Sequence, residues 1–310
     1  MINYYKTQNG KLMPLEAAEK DCWIAVESPT QEELDFLVHE LGVDKGFIGS
    51  ATDEDEISHI VKEDTQTLVI VDTPVQARQE DESTTLYYTM PLSFVALKDY
   101  IITITLRPVP VLDEIAKGAI KIENTAFKTN FVLTALLRIA TRYTQHLRQI
   151  DKISSITEKQ LHKSMRNKEL IQLLSLEKSL LYFSTGLKST ETTLEKIMRG
   201  RILKLYEEDE DLLEDTLIEI KQAIETCNIY SGILSGTMDA FASIISNNLN
   251  IVMKVLTSIT IVMAIPNMVF SFYGMNTNDL PLPYTWFAVG ITVVICGLFA
   301  YLLHKKGYFS

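Results

Sequence analysis

Two long uncharged runs close the sequence and constrain it more than anything upstream. Val255 to Asn278 carries no charged residue, Asp279 interrupts, and Leu280 to Leu303 is free of charge again, each run being about 24 residues by count. A helix needs roughly 20 apolar residues to cross the hydrocarbon core of a bilayer. The chain therefore reads as a two-span membrane protein, with an uncharged tetrapeptide, Tyr273-Gly274-Met275-Asn276, at the turn between the spans. The competing reading is a buried hairpin of a soluble protein, and the flanking charges argue against it. Lys254 stands where the first span begins and Lys305 and Lys306 follow the second, whereas Tyr273 to Tyr284 contains no Lys or Arg. The positive-inside rule then places both termini in the cytoplasm and the loop outside, as expected for a multi-pass protein of the inner (plasma) membrane.

The rest of the chain is acidic. Of a net charge of −11, the segment from Ile251 onward contributes +2 and the preceding 250 residues −13. Such a surface repels nucleic acid and gathers cations. Cys22, Cys227 and Cys296 show no paired spacing, and Cys296 falls within a span, which fits a reducing compartment rather than a disulfide framework. The start, Met1-Ile2-Asn3-Tyr4-Tyr5-Lys6, has no apolar stretch and predicts no cleaved signal peptide. Enzymatic signals are missing as well. There is no phosphate-cradling glycine loop, and His39, His59, His146, His162 and His304 are scattered without zinc-site spacing. The expectation is a non-enzyme without a cofactor.

Along the chain, Trp23 to Val26 reads as a strand. Ser28-Pro29 then opens a helix with Glu32 and Glu33 near its positive end and Leu34, Leu37, Val38 and Leu41 as its apolar stripe. Strand patterns follow at Thr67–Val71, Leu86–Thr89, Leu92–Leu97 and Tyr100–Thr105, with Gln79–Thr85 as a hairpin loop. From Asn130 no proline occurs before Pro266, and apolar residues recur at helical spacing. One long helix begins around Phe131. A second covers Ile171–Thr185 and is expected to break around Gly186–Thr190. A third runs from about Tyr206 into Asn250 and the first span, its part before the membrane roughly 65 Å long at 1.5 Å per residue. A helix of that length entering a membrane can act as a lever. Gly232 and Gly236, four apart, would allow close helix packing. The predicted architecture is an α/β N-terminal cytoplasmic domain over 1–125, a cytoplasmic long-helix region over 126–250, a first transmembrane helix over 251–276, an external loop over 277–282, a second transmembrane helix over 283–303 and a cytoplasmic tail over 304–310.

Stepping back from Ser271 by three and four residues gives Asn267, Ala264, Thr260, Leu256, Met253 and Asn250, a face of small, hydroxyl and amide groups with two bulky apolar positions. The other faces carry Ile259, Val262, Met263, Val269 and Phe270, suited to lipid or to the second span. Polar residues within a span face a protein interior or water. One copy cannot enclose a channel, so several would assemble around this stripe.

Tyr-Gly-Met-Asn at the end of the first of two C-terminal spans resembles the CorA family of divalent-cation channels, whose signature is Gly-Met-Asn in that place. Asn247-Asn248-Leu249-Asn250 and Val252 to Thr257 are similar to the start of that family's pore helix, and Asn167 to Leu170 and Leu176 to Phe183 to its middle helices. The sequence departs from the family where many members carry Met-Pro-Glu-Leu. Here Thr277-Asn278-Asp279-Leu280-Pro281 follows, with Asp279 as the one acid of the loop. The resemblance implies a homopentamer in the lipid bilayer, with Asn276 and the Gly274 carbonyl as an ion-selecting ring and Met275 shaping the loop. Neutral oxygens suit Mg²⁺, which sheds water reluctantly. A ring of acceptors can hold its coordinated waters and still let the ion leave. A soft thioether does not suit it. Leu256 and Met253 are candidates for a dewetting constriction, with packing against a neighbouring helix as an equal alternative for Met253.

The acidic run Glu207 to Asp211, followed by Glu214, Asp215 and Glu219, has two readings: a solvated helix face, or a cytoplasmic magnesium sensor. Asp215 falls where similar family members have a regulatory aspartate, and Asp239 is a further candidate. The functional expectation is influx of hydrated Mg²⁺, with Co²⁺ and Ni²⁺ as further substrates, gated by cytoplasmic Mg²⁺. The alternatives are a related Zn²⁺ transporter and a membrane-anchored metal sensor that conducts nothing.

Overall fold

A computed structural model describes residues 1–310 apart from 78–85, 165–166, 201, 204, 276–283 and 307–310. The chain forms two compact units, Met1–Gly236 and Thr237–Ser310. The first is built on a seven-stranded sheet of order β2-β1-β3-β7-β6-β5-β4. Its strands are β1 (Ile2–Gln8), β2 (Lys11–Leu15), β3 (Cys22–Glu27), β4 (His59–Glu63), β5 (Gln66–Ala77), β6 (Leu86–Ala96) and β7 (Tyr100–Thr105). Only β3 and β7 run parallel; the other neighbours are antiparallel. Helices α1 (Gln31–His39), α2 (Lys45–Ala51), α3 (Pro110–Ala116), α4 (Lys128–Ser164) and α5 (Asn167–Gly200) surround it, followed by α6 (Glu207–Tyr273) and α7 (Thr285–Lys305).

Alternation along β3 divides the core. Cys22, Ile24 and Val26 join Leu37 of α1 and Phe47 and Ile48 of α2 in one buried cluster with Ile70, Val95 and Ile104. Trp23 points the other way, stacks on Tyr5 and packs 5.2 Å from Phe131 at the start of α4. Its indole N–H donates to Thr103 Oγ1 at 2.9 Å, so the buried ring leaves no polar atom unpaired.

Several expectations need correction. The first helix begins after Thr30, not at Ser28-Pro29. Thr30 and Glu33 form a reciprocal capping box, while Ser28 holds a φ of 45° and donates its hydroxyl to Leu106 O. Leu41 lies beyond the end of that helix. Leu86–Thr89 and Leu92–Leu97 are one strand despite Pro91. The missing N–H of Pro91 falls on the side toward β7, where pairing starts only at Ser93, so no ladder bond is lost. The hairpin loop Gln79–Thr85 lies outside the described residues, and its flanking strands pair from Thr67↔Ala96 to Ala77↔Leu86.

The break expected at Gly186–Thr190 does not exist, because α5 runs unbroken through it. Gly186 serves close approach instead. A Cβ there would lie 2.9 Å from Asp72 Cβ and 3.0 Å from both Thr89 Cγ2 and the Tyr143 hydroxyl. The same contact satisfies polar groups. Ser189 Oγ and Ser58 Oγ donate to Asp72 Oδ2, Thr190 Oγ1 meets Ser58 Oγ at 3.2 Å, and Tyr143 donates to Asp72 O. Burial pushes the Asp72 carboxyl up and the two serines partly offset this. Two turns before Gly186, Ser179 Oγ accepts the N–H of Tyr87, which projects past the end of β7.

Candidate functional site

In Thr237–Ser310, α6 and α7 form a hairpin whose surfaces differ by face. On α6 the covered positions are Val255, Ser258, Val262, Ile265, Pro266, Val269 and Tyr273; on α7 they include Ala288, Thr292, Ile295 and Cys296. Both sets recur every three or four residues, which makes each one helix face. The predicted stripe, Asn250, Met253, Leu256, Thr260, Ala264, Asn267 and Ser271, is exposed along its whole length. With 3.6 residues per turn, or about 100° per residue, the stripe is centred roughly 180° from the covered face. The second helix thus covers one side of α6 and leaves the opposite, more polar side open. Of the residues expected on other faces, Val262 and Val269 lie against α7, and Ile259, Met263 and Phe270 are exposed.

Local chemistry makes the stripe compatible with an apolar medium. On the stripe Thr260 donates its hydroxyl to Leu256 O at 2.8 Å, and on the covered face Ser258 donates to Lys254 O at 2.7 Å. Such back-bonding satisfies the proton within the helix. The Thr260 oxygen then presents lone pairs, which suits a hydrated cation. Thr292 does the same on the α7 side, with Ala288 O at 2.7 Å. The remaining surface is apolar: Met268 is 71% exposed, Val294 69% and Trp286 87%. Helix α7 has 21 residues, long enough to cross a core of about 30 Å. Tyr284 and Trp286 begin it and Lys305 ends it, the arrangement of an interfacial aromatic belt and a basic flank.

Helix α6 ends at Tyr273, with Gly274 N bonded to Phe270 O at 2.9 Å and Met275 N to Phe272 O at 3.4 Å. A Cβ on Gly274 would sit 3.1 Å from Phe270 O, so this tight exit favours glycine. The end of a helix carries the negative pole of its dipole, equivalent to about half an elementary charge, and leaves carbonyls without internal donors. Gly274 and Met275 therefore sit where cations are favoured without any carboxylate. Charge patterns in the sequence do not reveal this source of attraction, although a glycine closing an apolar run points to the helix end. Asn276 lies outside the described residues.

The acidic run occupies the first turn of α6, where Glu207, Glu208, Asp209 and Glu210 face the positive pole. Asp209 is buried. It accepts the N–H of Tyr206 at 3.2 Å and the amide of Asn130 at 3.3 Å, so it caps the helix and ties α6 to α4. Asp215 is exposed and Glu219 half-buried one turn later on the same face, whereas Asp239 belongs to the other unit. Among the described residues no three Asp, Glu, His or Cys side chains converge into a metal-binding group. The structure therefore does not bring the three candidate regulatory residues together within one chain.

A mixed α/β unit, a helix of 67 residues and a two-helix apolar hairpin with one polar face define a class of membrane transport proteins. Within that class the chain belongs to the CorA-like Mg²⁺ transporter protein family, whose profile matches residues 19–305. It is a divalent-cation transporter of that family. The cobalt/magnesium transport protein CorA of Methanocaldococcus jannaschii is 26% identical over 294 residues, covering 92% of this chain and 90% of the relative. Among solved structures, the complete CorA magnesium transporter of M. jannaschii matches with a TM-score of 0.82 at 23% identity, covering 99% of this chain and 98% of that one. The full-length CmaX protein matches with a TM-score of 0.73 at 15% identity over 99% and 97% of the two chains. These structural likenesses extend through both units.

Proposed function

We propose that copies of this chain assemble as a homopentamer, the number the family resemblance implies, with the exposed stripe of α6 facing a central pore. The observation that carries this reading is the placement of the stripe opposite the face covered by α7. Asn250, Met253, Leu256, Thr260, Ala264, Asn267 and Ser271 line the path, with Met253 and Leu256 as its apolar constriction. Gly274, Met275 and Asn276 form the mouth, where carbonyl and amide oxygens hold an ion through its own water shell. Hydrated Mg²⁺ enters down its electrochemical gradient, and Co²⁺ and Ni²⁺ are further substrates on the same hydrated-ion principle. The relative described as a cobalt/magnesium transport protein supports Mg²⁺ and Co²⁺. Both termini lie in the cytoplasm, with residues 1–250 inside the cell, 251–276 and 283–303 in the membrane and 277–282 outside.

Gating follows from the acidic surface. Asp215 and Glu219, with Asp239 further on, meet acidic residues of neighbouring copies, and bound Mg²⁺ offsets their repulsion and holds the pore closed. Moving from 99:1 closed to 1:99 needs about 5.5 kcal/mol of differential binding, more than one exposed site supplies and within reach of several intersubunit sites. Asp215→Ala should weaken the response of flux to cytoplasmic Mg²⁺, and Asp215→Lys should favour closure at low Mg²⁺.

The decisive experiment is Mg²⁺ flux into sealed vesicles holding the full chain or Asn276→Ala. Wild type should transport, and the variant should assemble but not transport. Normal uptake by the variant would remove the amide from the filter. A wild-type flux specific for Zn²⁺ would favour the related zinc transporter, and no flux of any divalent ion would favour a sensor.

A further inference from the structure

In an α-helix the carbonyl of residue 262 accepts the N–H of residue 266. In α6 that residue is Pro266, which lies inside the helix and has no N–H to give. The Val262 carbonyl thus lacks its helical donor midway along an apolar helix. Within a bilayer no water is present to replace it. The opposite helix supplies a group at this point. Cys296 Sγ lies 3.8 Å from Val262 O, at the longer range a thiol donor needs. Cys296 continues the covered face of α7, one turn beyond Thr292 and two beyond Ala288. This polar contact joins α6 to α7, and it falls on the one carbonyl that Pro266 leaves without its helical partner.

We propose that Cys296 is a positioning residue for ion conduction: its thiol completes the backbone at the Pro266 joint and fixes the segment of α6 beyond it. That segment carries Asn267 and Ser271 and ends at Gly274, so its direction decides where the mouth groups point. The functional half of this inference rests on the pore reading above; the joint itself does not. A thiol is a weak donor, which lets the joint hold one direction without making it rigid. The same geometry explains why a cysteine without a disulfide or metal partner occupies a span.

The test uses full-length protein in vesicles and a double-mutant cycle. Cys296→Val keeps most of the volume and removes the donor. It should lower Mg²⁺ flux by about three- to tenfold, the population change that one net hydrogen bond gives. Cys296→Ser, which restores a donor, should return flux toward wild type. Pro266→Ala gives Val262 its helical N–H back, so adding Cys296→Val to that background should change nothing further, a non-additivity expected only of coupled groups. The infrared S–H stretching band provides a readout independent of transport: in Pro266→Ala its component from Cys296 should move toward the frequency of a free thiol. Equal effects of Cys296→Val in both backgrounds, failure of serine to rescue, or an unmoved S–H band would each overturn the proposal. A shifted band in a protein that carries no ion would keep the joint and overturn the pore reading instead.

Discussion

In the first unit Trp23, Phe94, Phe131, Tyr143 and Phe183 are all buried, and the polar groups among them find partners. In the second, Met263, Met268, Val293 and Trp286 lie open on helices that bury little. The same apolar side chains thus serve opposite ends. In Met1–Gly236 they exclude water from a core made by one chain. In Thr237–Ser310 they leave a surface that is complete only when lipid or further copies cover it. An exposed apolar surface of that extent marks an interaction site, not a stable contact with water. The polar stripe of α6 then stands out as the one side suited to neither lipid nor core.

The largest effect should come from separating the units. Residues 1–236 alone should fold in buffer and melt cooperatively, whereas residues 237–310 should stay soluble only with lipid or detergent. Circular dichroism melts with size-exclusion chromatography check both. A fragment 1–236 without a cooperative melt would break the comparison, because the first unit would then also depend on what covers α6.

Within the first unit, Gly186→Ala should be the more damaging of two small changes. Alanine gains about 1 kcal/mol of helix propensity, but its Cβ would overlap Asp72, Thr89 and Tyr143. Overpacking of this kind costs about 1–3 kcal/mol, so a net loss of up to about 2 kcal/mol is expected in denaturant melts of residues 1–236. An unchanged midpoint would mean that α5 sits further from the sheet than the contacts imply.

Glu114 offers a pH-dependent test of the same unit. Arg138 donates to it at 2.7 Å and Arg142 donates to its other oxygen. Chiefly through the Arg138 hydrogen bond, its carboxyl is held below the ordinary 4.5. A depressed carboxylate contributes stability above its unfolded value and loses it as pH falls through the folded one. Glu114→Gln should therefore cost about 1–2 kcal/mol near neutral pH, as expected for hydrogen bonds to charged groups that are partly solvated. The gap between variant and wild type should close as pH drops below 4.5. A gap constant down to acid pH would assign the loss to packing instead of charge.

How much of this was legible beforehand follows the same division. The two long apolar helices and the exposed face of α6 were readable because a bilayer imposes length and charge rules on the sequence itself. The core strands around Trp23, Ile70 and Ile102 were readable from apolar runs. The edge strands Lys11–Leu15 and His59–Glu63, and Ile2–Gln8 next to the first of them, were not, since their burial pattern is weak and depends on neighbours. Gly186-Leu187-Lys188-Ser189-Thr190 reads as a helix break because glycine and serine are poor helix formers; the sheet residues Asp72 and Thr89, 2.9 and 3.0 Å from where a Cβ on Gly186 would stand, explain the glycine and are invisible locally. In the sequence Asp209 is one more acid in a run, whereas its burial and its bonds to Tyr206 and Asn130 make it a cap. The proline joint needed two distant positions, Pro266 and Cys296, to be seen together.

The smallest effect sharpens the comparison most, because its sign should differ with context. Gly232 lies on α6 inside the first unit, exposed, with nothing within 4 Å of where a Cβ would stand, and Gly236 is likewise open. In residues 1–236 alone, Gly232→Ala should stabilise by about 0.5–1 kcal/mol through helix propensity. In the proposed assembly, small residues four apart would let helices of neighbouring copies approach closely, and a methyl group there would push them apart. The same substitution should therefore raise the melting temperature of the fragment and lower the fraction of full-length assembly measured by light scattering in detergent. A gain in both would place this face of α6 in solvent within the assembly, and the boundary between a chain complete in itself and one completed by its copies would then lie beyond Gly236.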